Sequence, residues 1–282
     1  MTEAAALADR SACERLLRGL AGVGEAPVDI AVAALALAAF DRPRVDPARY
    51  LHHLDLLAGD VAAAAAKAKG VAQLAAALNA VMLERYGYAG DELTYDDLQN
   101  ANLMRVIDRR RGLPVALGIL YMHAARAQGW AMCGLAFPGH FLVRLEAMGD
   151  RAILDPFHGG AVRNVKALRE LLKTMSGRAA ELEPEHYAPV PDRQVLLRLQ
   201  NNIKLRLVRG NRLAEALAVI EGMLLFAPDH TALWREAALI NGRLGNYRAG
   251  IAALEQLLQR EGEPEVRHNA AALLQQYKTK LN

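Results

Sequence analysis

The stretch Arg109-Arg110-Arg111-Gly112-Leu113-Pro114, the segment Val115–Gln128 behind it, and then Pro138-Gly139-His140-Phe141-Leu142-Val143-Arg144 and Leu154-Asp155-Pro156-Phe157 decide the fold. Val115–Gln128 carries Leu117, Leu120, Tyr121, Ala124 and Ala125 at helical spacing, so it is expected to be an amphipathic helix ending at Gly129. After it, Ala131–Phe137, Phe141–Leu145 and Arg151–Leu154 are short apolar segments separated by Pro-Gly and Gly-Asp, and Pro156 follows the last. Those are strand and turn signals, and they predict a helix packed on a small antiparallel sheet. His140 would open one strand and Asp155 would close the next, so a hairpin would set the two side by side.

Upstream of this stretch the chain reads as helical. Pro27 suits a helix start before Val28–Phe40, Asp46-Pro47 looks like a cap with a first-turn proline, and Val71–Tyr86 has apolar residues at helical spacing. Asp91–Asp97 is an acidic connection, and Leu98–Arg109 is a short predicted helix. Downstream, Val165–Lys173 returns to helix. Pro184, Pro189 and Pro191 then crowd a segment that cannot continue one, which predicts an extended linker over 183–193.

Beyond the linker the sequence repeats. Leu213, Ala216, Leu217, Ile220, Glu221, Met223 and Leu224 recur 34 residues later as Tyr247, Gly250, Ile251, Leu254, Glu255, Leu257 and Leu258. With Pro228 after the first unit and Trp234 early in the next helix, this period resembles tetratricopeptide repeats. Gly250 departs from it, standing where the repeat usually has alanine. Val195–Val208 supplies the first helix of the array and Pro264–Lys280 a capping helix. The expected organisation is an N-terminal α+β domain over 1–182, the linker over 183–193 and an all-α repeat array over 194–282.

Composition sets outer limits. No apolar run approaches the ~18 residues of a membrane-spanning helix, and Met1-Thr2-Glu3 lacks a basic leader, so a cytoplasmic protein without a membrane partner is expected. Cys13 and Cys133 are too few and too far apart for a disulfide framework or a cysteine zinc site. Bases number 34 and acids 31, interspersed, so no dense basic stripe marks a nucleic-acid surface and direct nucleic-acid binding is not expected.

The chemistry suggested by the opening stretch is that of a cysteine nucleophile. A thiolate at a helix N-terminus is stabilised by unpaired amides and the helix dipole. A histidine on a neighbouring strand takes its proton, and an acid holds the imidazole in the right tautomer. Leu78-Asn79, Tyr86-Gly87-Tyr88, Arg109–Pro114, Pro138–Arg144 and Leu154–Phe157, followed by the repeats, resemble a bacterial family with a transglutaminase-like domain. Its members are named as regulators of sirC expression. The resemblance covers nearly the whole chain. It implies a nucleophile at position 114, a base at His140 and an orienting acid at Asp155.

Position 114 is proline. It has no nucleophilic atom, and Gly112 to Tyr121 contains no Cys, Ser or Thr. Cys133, the nearest thiol, lies mid-strand and away from any helix N-terminus, so it reads as a small buried hydrophobe. His140 and Asp155 are left as a relict pair, structural or ligand-binding. Arg111 and Arg144 are candidate contacts for an anion, against the alternative of a solvated helix end for the Arg109–Arg111 run. His158 would complete a His140/Asp155/His158 cluster, but its turn has no readable direction, so neither a metal nor any other cofactor is expected. The leading expectation is a non-catalytic regulatory protein, a pseudoenzyme, that binds a protein or peptide through the repeats. The alternative is a hydrolase or acyl transferase with an unconventional nucleophile.

Overall fold

The computed structural model describes Leu7, residues 9–24 and residues 26–281. These form two compact units, one comprising Val23–Leu199 with the chain up to Leu16, the other comprising Leu17–Gly22 and the chain from Gln200 onward. Helices α1 (Arg10–Ala21), α2 (Ile30–Asp41), α3 (Ala48–Ala65) and α4 (Val71–Asn79) come first. α2 begins at Ile30 rather than Val28 because Asp29, not Pro27, sets its start. The Asp29 Oδ1 accepts from the Val32 N–H at 3.0 Å, satisfying one of the open amides of the first turn. α4 continues through a widened π-helical turn, Ala80–Arg85, which carries the helical path to Tyr86.

Strands β1 (Ala89–Gly90) and β2 (Arg111–Gly112) pair in parallel. Between them the expected Leu98–Arg109 helix is split into a 3-10 turn, Leu98–Ala101, and α5 (Leu103–Arg109). Asn102 makes the division, its side chain accepting from the Arg105 N–H at 3.2 Å as the cap of α5. α6 (Pro114–Arg126) is not the one-faced helix its spacing suggests. Every residue from Pro114 to Met122 is buried, as are Ala124 and Ala125. α2 and α3 pack on it, and so do strands of the sheet, which explains burial all round.

The sheet is antiparallel, in the order β6 (Ala161–Val162), β5 (Asp150–Asp155), β4 (Val143–Ala147), β3 (Ala131–Leu135), β7 (Pro189–Val190). Register sets Val143 opposite Leu154 and Cys133 opposite Arg144. α7 (Val165–Ser176) places Leu168 and Leu172 in a cluster with Leu135, Phe137 and Leu142. Burying each such leucine contributes about 1.5–3 kcal/mol.

The 183–193 segment is not a free linker. Pro184–Tyr187 is a 3-10 turn whose Tyr187 packs on that same cluster, and Pro189–Val190 is the edge strand β7. Proline is tolerated there because an edge strand has one row of amides without a partner strand. α8 (Asp192–Arg209) starts directly afterwards, and Asp192 is tied into the first unit. It accepts from Arg126 at 2.6 and 2.9 Å and from the Val28 N–H at 3.0 Å. The contact boundary between the units therefore falls after Leu199, inside α8, and not in the proline-rich stretch.

In the second unit α9 (Leu213–Phe226), α10 (Thr231–Arg243), α11 (Tyr247–Arg260) and α12 (Pro264–Leu281) follow. α9 and α11 are each 14 residues long and stand at the repeat offset. Gly250 now has a reason: a β-carbon there would lie 2.8 Å from Cε2 of Tyr277 on the capping helix. Gly242 gives way to the same ring, whose hydroxyl donates to the Ala238 carbonyl at 3.2 Å. Among the described residues no helix is long and apolar enough to cross a membrane.

Candidate functional site

His140 sits in the turn before β4, two positions past Pro138, rather than in the strand itself. Asp155 ends β5. The hairpin brings them together as expected: His140 Nε2 lies 2.9 Å from Asp155 Oδ1, with Asp155 fully buried and His140 only 5% exposed. Arg198 on α8 fastens the His140 turn from outside the hairpin, donating to the His140 carbonyl at 2.7 Å with its guanidinium over the Phe141 ring.

The other Asp155 oxygen, Oδ2, is equally occupied. His158 Nδ1 is 2.8 Å away, and Arg163 approaches with Nη2 at 2.7 Å and Nε at 3.1 Å. Burial pushes the Asp155 carboxyl up. Hydrogen bonding and charge from His140, then hydrogen bonds from His158 and Arg163, overcome it and hold Asp155 well below the usual carboxylate range. An ionised carboxylate can only accept, so both imidazoles must turn an N–H toward it. That assignment makes the 3.2 Å approach of Arg163 Nη2 to His158 Nδ1 a contact and not a hydrogen bond. His140 Nδ1 itself makes no hydrogen bond among the described residues.

The turn that carries His158 is held from below. Pro156–His158 is a 3-10 turn followed by Gly159 and Gly160, both at positive φ. Asn79 Nδ2 donates to the Gly160 carbonyl at 2.9 Å, and Tyr121 on α6 donates to Asn79 Oδ1 at 3.2 Å. A β-carbon on Gly160 would fall 1.8 Å from Asn79 Oδ1, so only glycine fits. Phe157 is edge-on to His140, His158 and Tyr95, with ring centroids 6.1, 5.2 and 5.8 Å apart. Donor atoms of His140, Asp155 and His158 lie within 4.8 Å of one another, a set of types able to hold a metal ion.

None of the other expected residues hydrogen-bonds this cluster among the described residues. Pro114 is the first residue of α6 and is buried, with Leu113 as the cap. Cys133 is half-buried in β3 opposite Arg144; burial, offset only in part by the Arg144 charge, pushes its thiol up. Arg144 donates to the Tyr187 carbonyl at 3.2 Å and lies 2.6 Å from Glu146. Arg111 donates to the Gly87 and Arg110 carbonyls at 2.7 and 3.0 Å. Neither arginine bonds the His140–Asp155 pair; Arg163, on the Asp155 carboxylate, and Arg198, on the His140 carbonyl, do so, and the sequence alone marked neither.

Nor is the arginine run a solvated helix end. Arg109 bonds Asp91 and Asn100, each at 2.8 Å. Arg110, in the left-handed region at φ 58°, reaches His53 at 2.7 Å and the Tyr88 hydroxyl, and its guanidinium lies over the Tyr86 and Tyr88 rings. Burial, then the Arg110 charge, lowers the His53 pKa to about 4. This cluster is a second polar network, with His53 and Tyr88 buried, Arg109 and Arg110 partly buried and Arg111 exposed.

Comparison with known proteins gives a consistent placement. Residues 48–201 match the transglutaminase-like superfamily and residues 203–275 match tetratricopeptide repeats. A UPF0162 protein of Xylella fastidiosa is 30% identical over 190 residues, 65% of this chain and 66% of that protein, so the match spans just under two thirds of its length. UPF0162 protein PA3419 of Pseudomonas aeruginosa is 30% identical over 214 residues, 74% of this chain and 78% of the relative. Protein SirB1 of Salmonella typhimurium is 25% identical over 158 residues, 56% of this chain and 58% of its own.

Proposed function

This chain belongs to the transglutaminase-like superfamily, and from that membership we propose that it works as a regulatory docking protein without a thiol nucleophile. One observation carries the reading. The helix start that should present a thiolate presents a buried Pro114 instead, while the only nearby thiol, Cys133, is held protonated on a strand. The remaining machinery is intact, and it is invested in a closed network around Asp155. The tetratricopeptide repeats supply the docking surface, a role for which such arrays are suited because stacked helix pairs present extended faces. Leu205 and Leu239, 50% and 46% exposed on α8 and α10, are the apolar residues proposed to meet the partner.

The test is affinity capture from bacterial lysate with the full chain and with a Leu205→Asp/Leu239→Asp variant. Partners recovered by the wild type should be lost from the variant, and an unchanged set would sink the docking reading. A hydrolytic reading is favoured by a single observation: Asp155 orients the His140 ring while its Nδ1 makes no hydrogen bond among the described residues, the arrangement of a base. A thiol-directed activity probe separates the two. The docking reading expects no labelling of Cys133 that depends on His140, whereas labelling lost in His140→Ala would favour the enzyme.

A further inference from the structure

Four residues make one cluster around the two oxygens of a buried carboxylate. His140 comes from a turn, Asp155 from a strand end, His158 from a 3-10 turn and Arg163 from the residue after β6. Two imidazoles and a carboxylate are donors of the kind that borderline divalent ions take in preference to Mg2+ or Ca2+. The fourth group, Arg163, is itself a cation, so the cluster is built to be completed by positive charge. Arginine meets that need through Asp155 Oδ2, on the same oxygen that His158 faces.

We propose that His140 Nε2, Asp155 and His158 Nδ1 form a site for one divalent transition-metal ion of the Zn2+ class, with Arg163 as the built-in competitor for the same carboxylate. The proposal does not depend on docking by the repeats, whose own test uses different residues. Zn2+ sits about 2.0–2.2 Å from nitrogen and oxygen ligands. The donors, within 4.8 Å of one another, must therefore close by a modest amount. His158, with its side chain 40% exposed, has the freedom to supply that movement, and the long Arg163 side chain at the end of a two-residue edge strand can swing away.

Proton balance is simple. A neutral ring moves its N–H from the inner to the outer nitrogen as the ion enters, and a ring protonated on both nitrogens loses its inner proton to solvent. Three protein ligands leave a tetrahedral ion one position for water or a ligand group.

The experiment titrates the chelator-stripped full chain with Zn2+ by calorimetry, and with Co2+ by visible absorption as a report on coordination. One ion per chain is expected. His158→Ala, a change at a half-exposed turn, should weaken binding by roughly 10–100-fold or more, and so should His140→Ala. Arg163→Gln should tighten binding by about tenfold or more, because it removes a like charge a few ångströms away. Far-UV circular dichroism confirms that each variant is folded. Absence of one-to-one binding by the wild type overturns the proposal. So does binding that survives His158→Ala, or affinity that Arg163→Gln leaves unchanged.

Discussion

In the first unit Asp155 is a buried anion bonded to His140, His158 and Arg163; in the repeats Tyr277 is a ring lodged against Gly242 and Gly250. Each is surrounded on all sides, but the forces differ. Around Asp155, charge compensates charge, and Asp192 with Arg126 repeats the device elsewhere in the unit. Around Tyr277, small residues make room for a large one, and the only polar requirement is one hydroxyl bond. A charge network fails when one member is removed, because its partners remain buried without compensation. A packing fit fails in proportion to volume, and a second change of volume can repair it.

The largest effect should come from breaking the network. Asp155→Ala should cost about 3–5 kcal/mol of unfolding free energy, read as a lower denaturant midpoint. A cost below about 1 kcal/mol would mean that the imidazoles and Arg163 find water easily, and the contrast with the repeats would collapse. Next comes the packing side. Gly250→Ala should cost about 1–3 kcal/mol, since its new β-carbon would meet the Tyr277 ring at 2.8 Å. Adding Tyr277→Leu should recover part of that loss, a rescue that has no counterpart at Asp155.

Acid should act on the first unit before the repeats. His53 has a folded-state pKa of about 4 against an ordinary 6.5, so the fold prefers the neutral ring. Its contribution is whole above pH 6.5 and is lost as pH falls from 6.5 toward 4, on the order of 2 kcal/mol. Asp155, also held below its ordinary value, contributes above about pH 4 and is lost at still lower pH. Stability measured between pH 7 and 4 should therefore decline in the wild type and flatten in His53→Gln. The smallest effect belongs to the thiol: Cys133→Val, half-buried and roughly conserving volume, should change stability by less than about 1.5 kcal/mol.

Period and punctuation in the sequence marked what was local. Pro114 at a helix start, the hairpin that joins His140 to Asp155 and the 34-residue offset between α9 and α11 could all be read there. What escaped was set by distant pairing. Pro189-Val190 looks like a helix breaker until β3 is found beside it, and Arg163 looks like a surface cation until β5 and β6 align it with Asp155. The direction of His158 depends on Asn79 and Tyr121 propping the Gly159–Gly160 turn, which no local pattern reveals. Gly250 was the reverse case, an apparent defect of the repeat that a ring far along the chain makes necessary.

β7 is the last strand of the sheet in chain order, so Gly134 and Leu135 of β3 gain their outer neighbours only after the rest of the sheet has been made. Until Pro189, Val190 and Asp192 emerge from the ribosome, β3 offers an open edge and Arg126 lacks its counter-ion. An exposed strand edge invites pairing with another nascent chain. A chain released just before residue 189 should therefore be more aggregation-prone than the full chain, because Gly134 and Leu135 would stay unpaired and Arg126 uncompensated, so the end of the first unit is what protects its sheet edge.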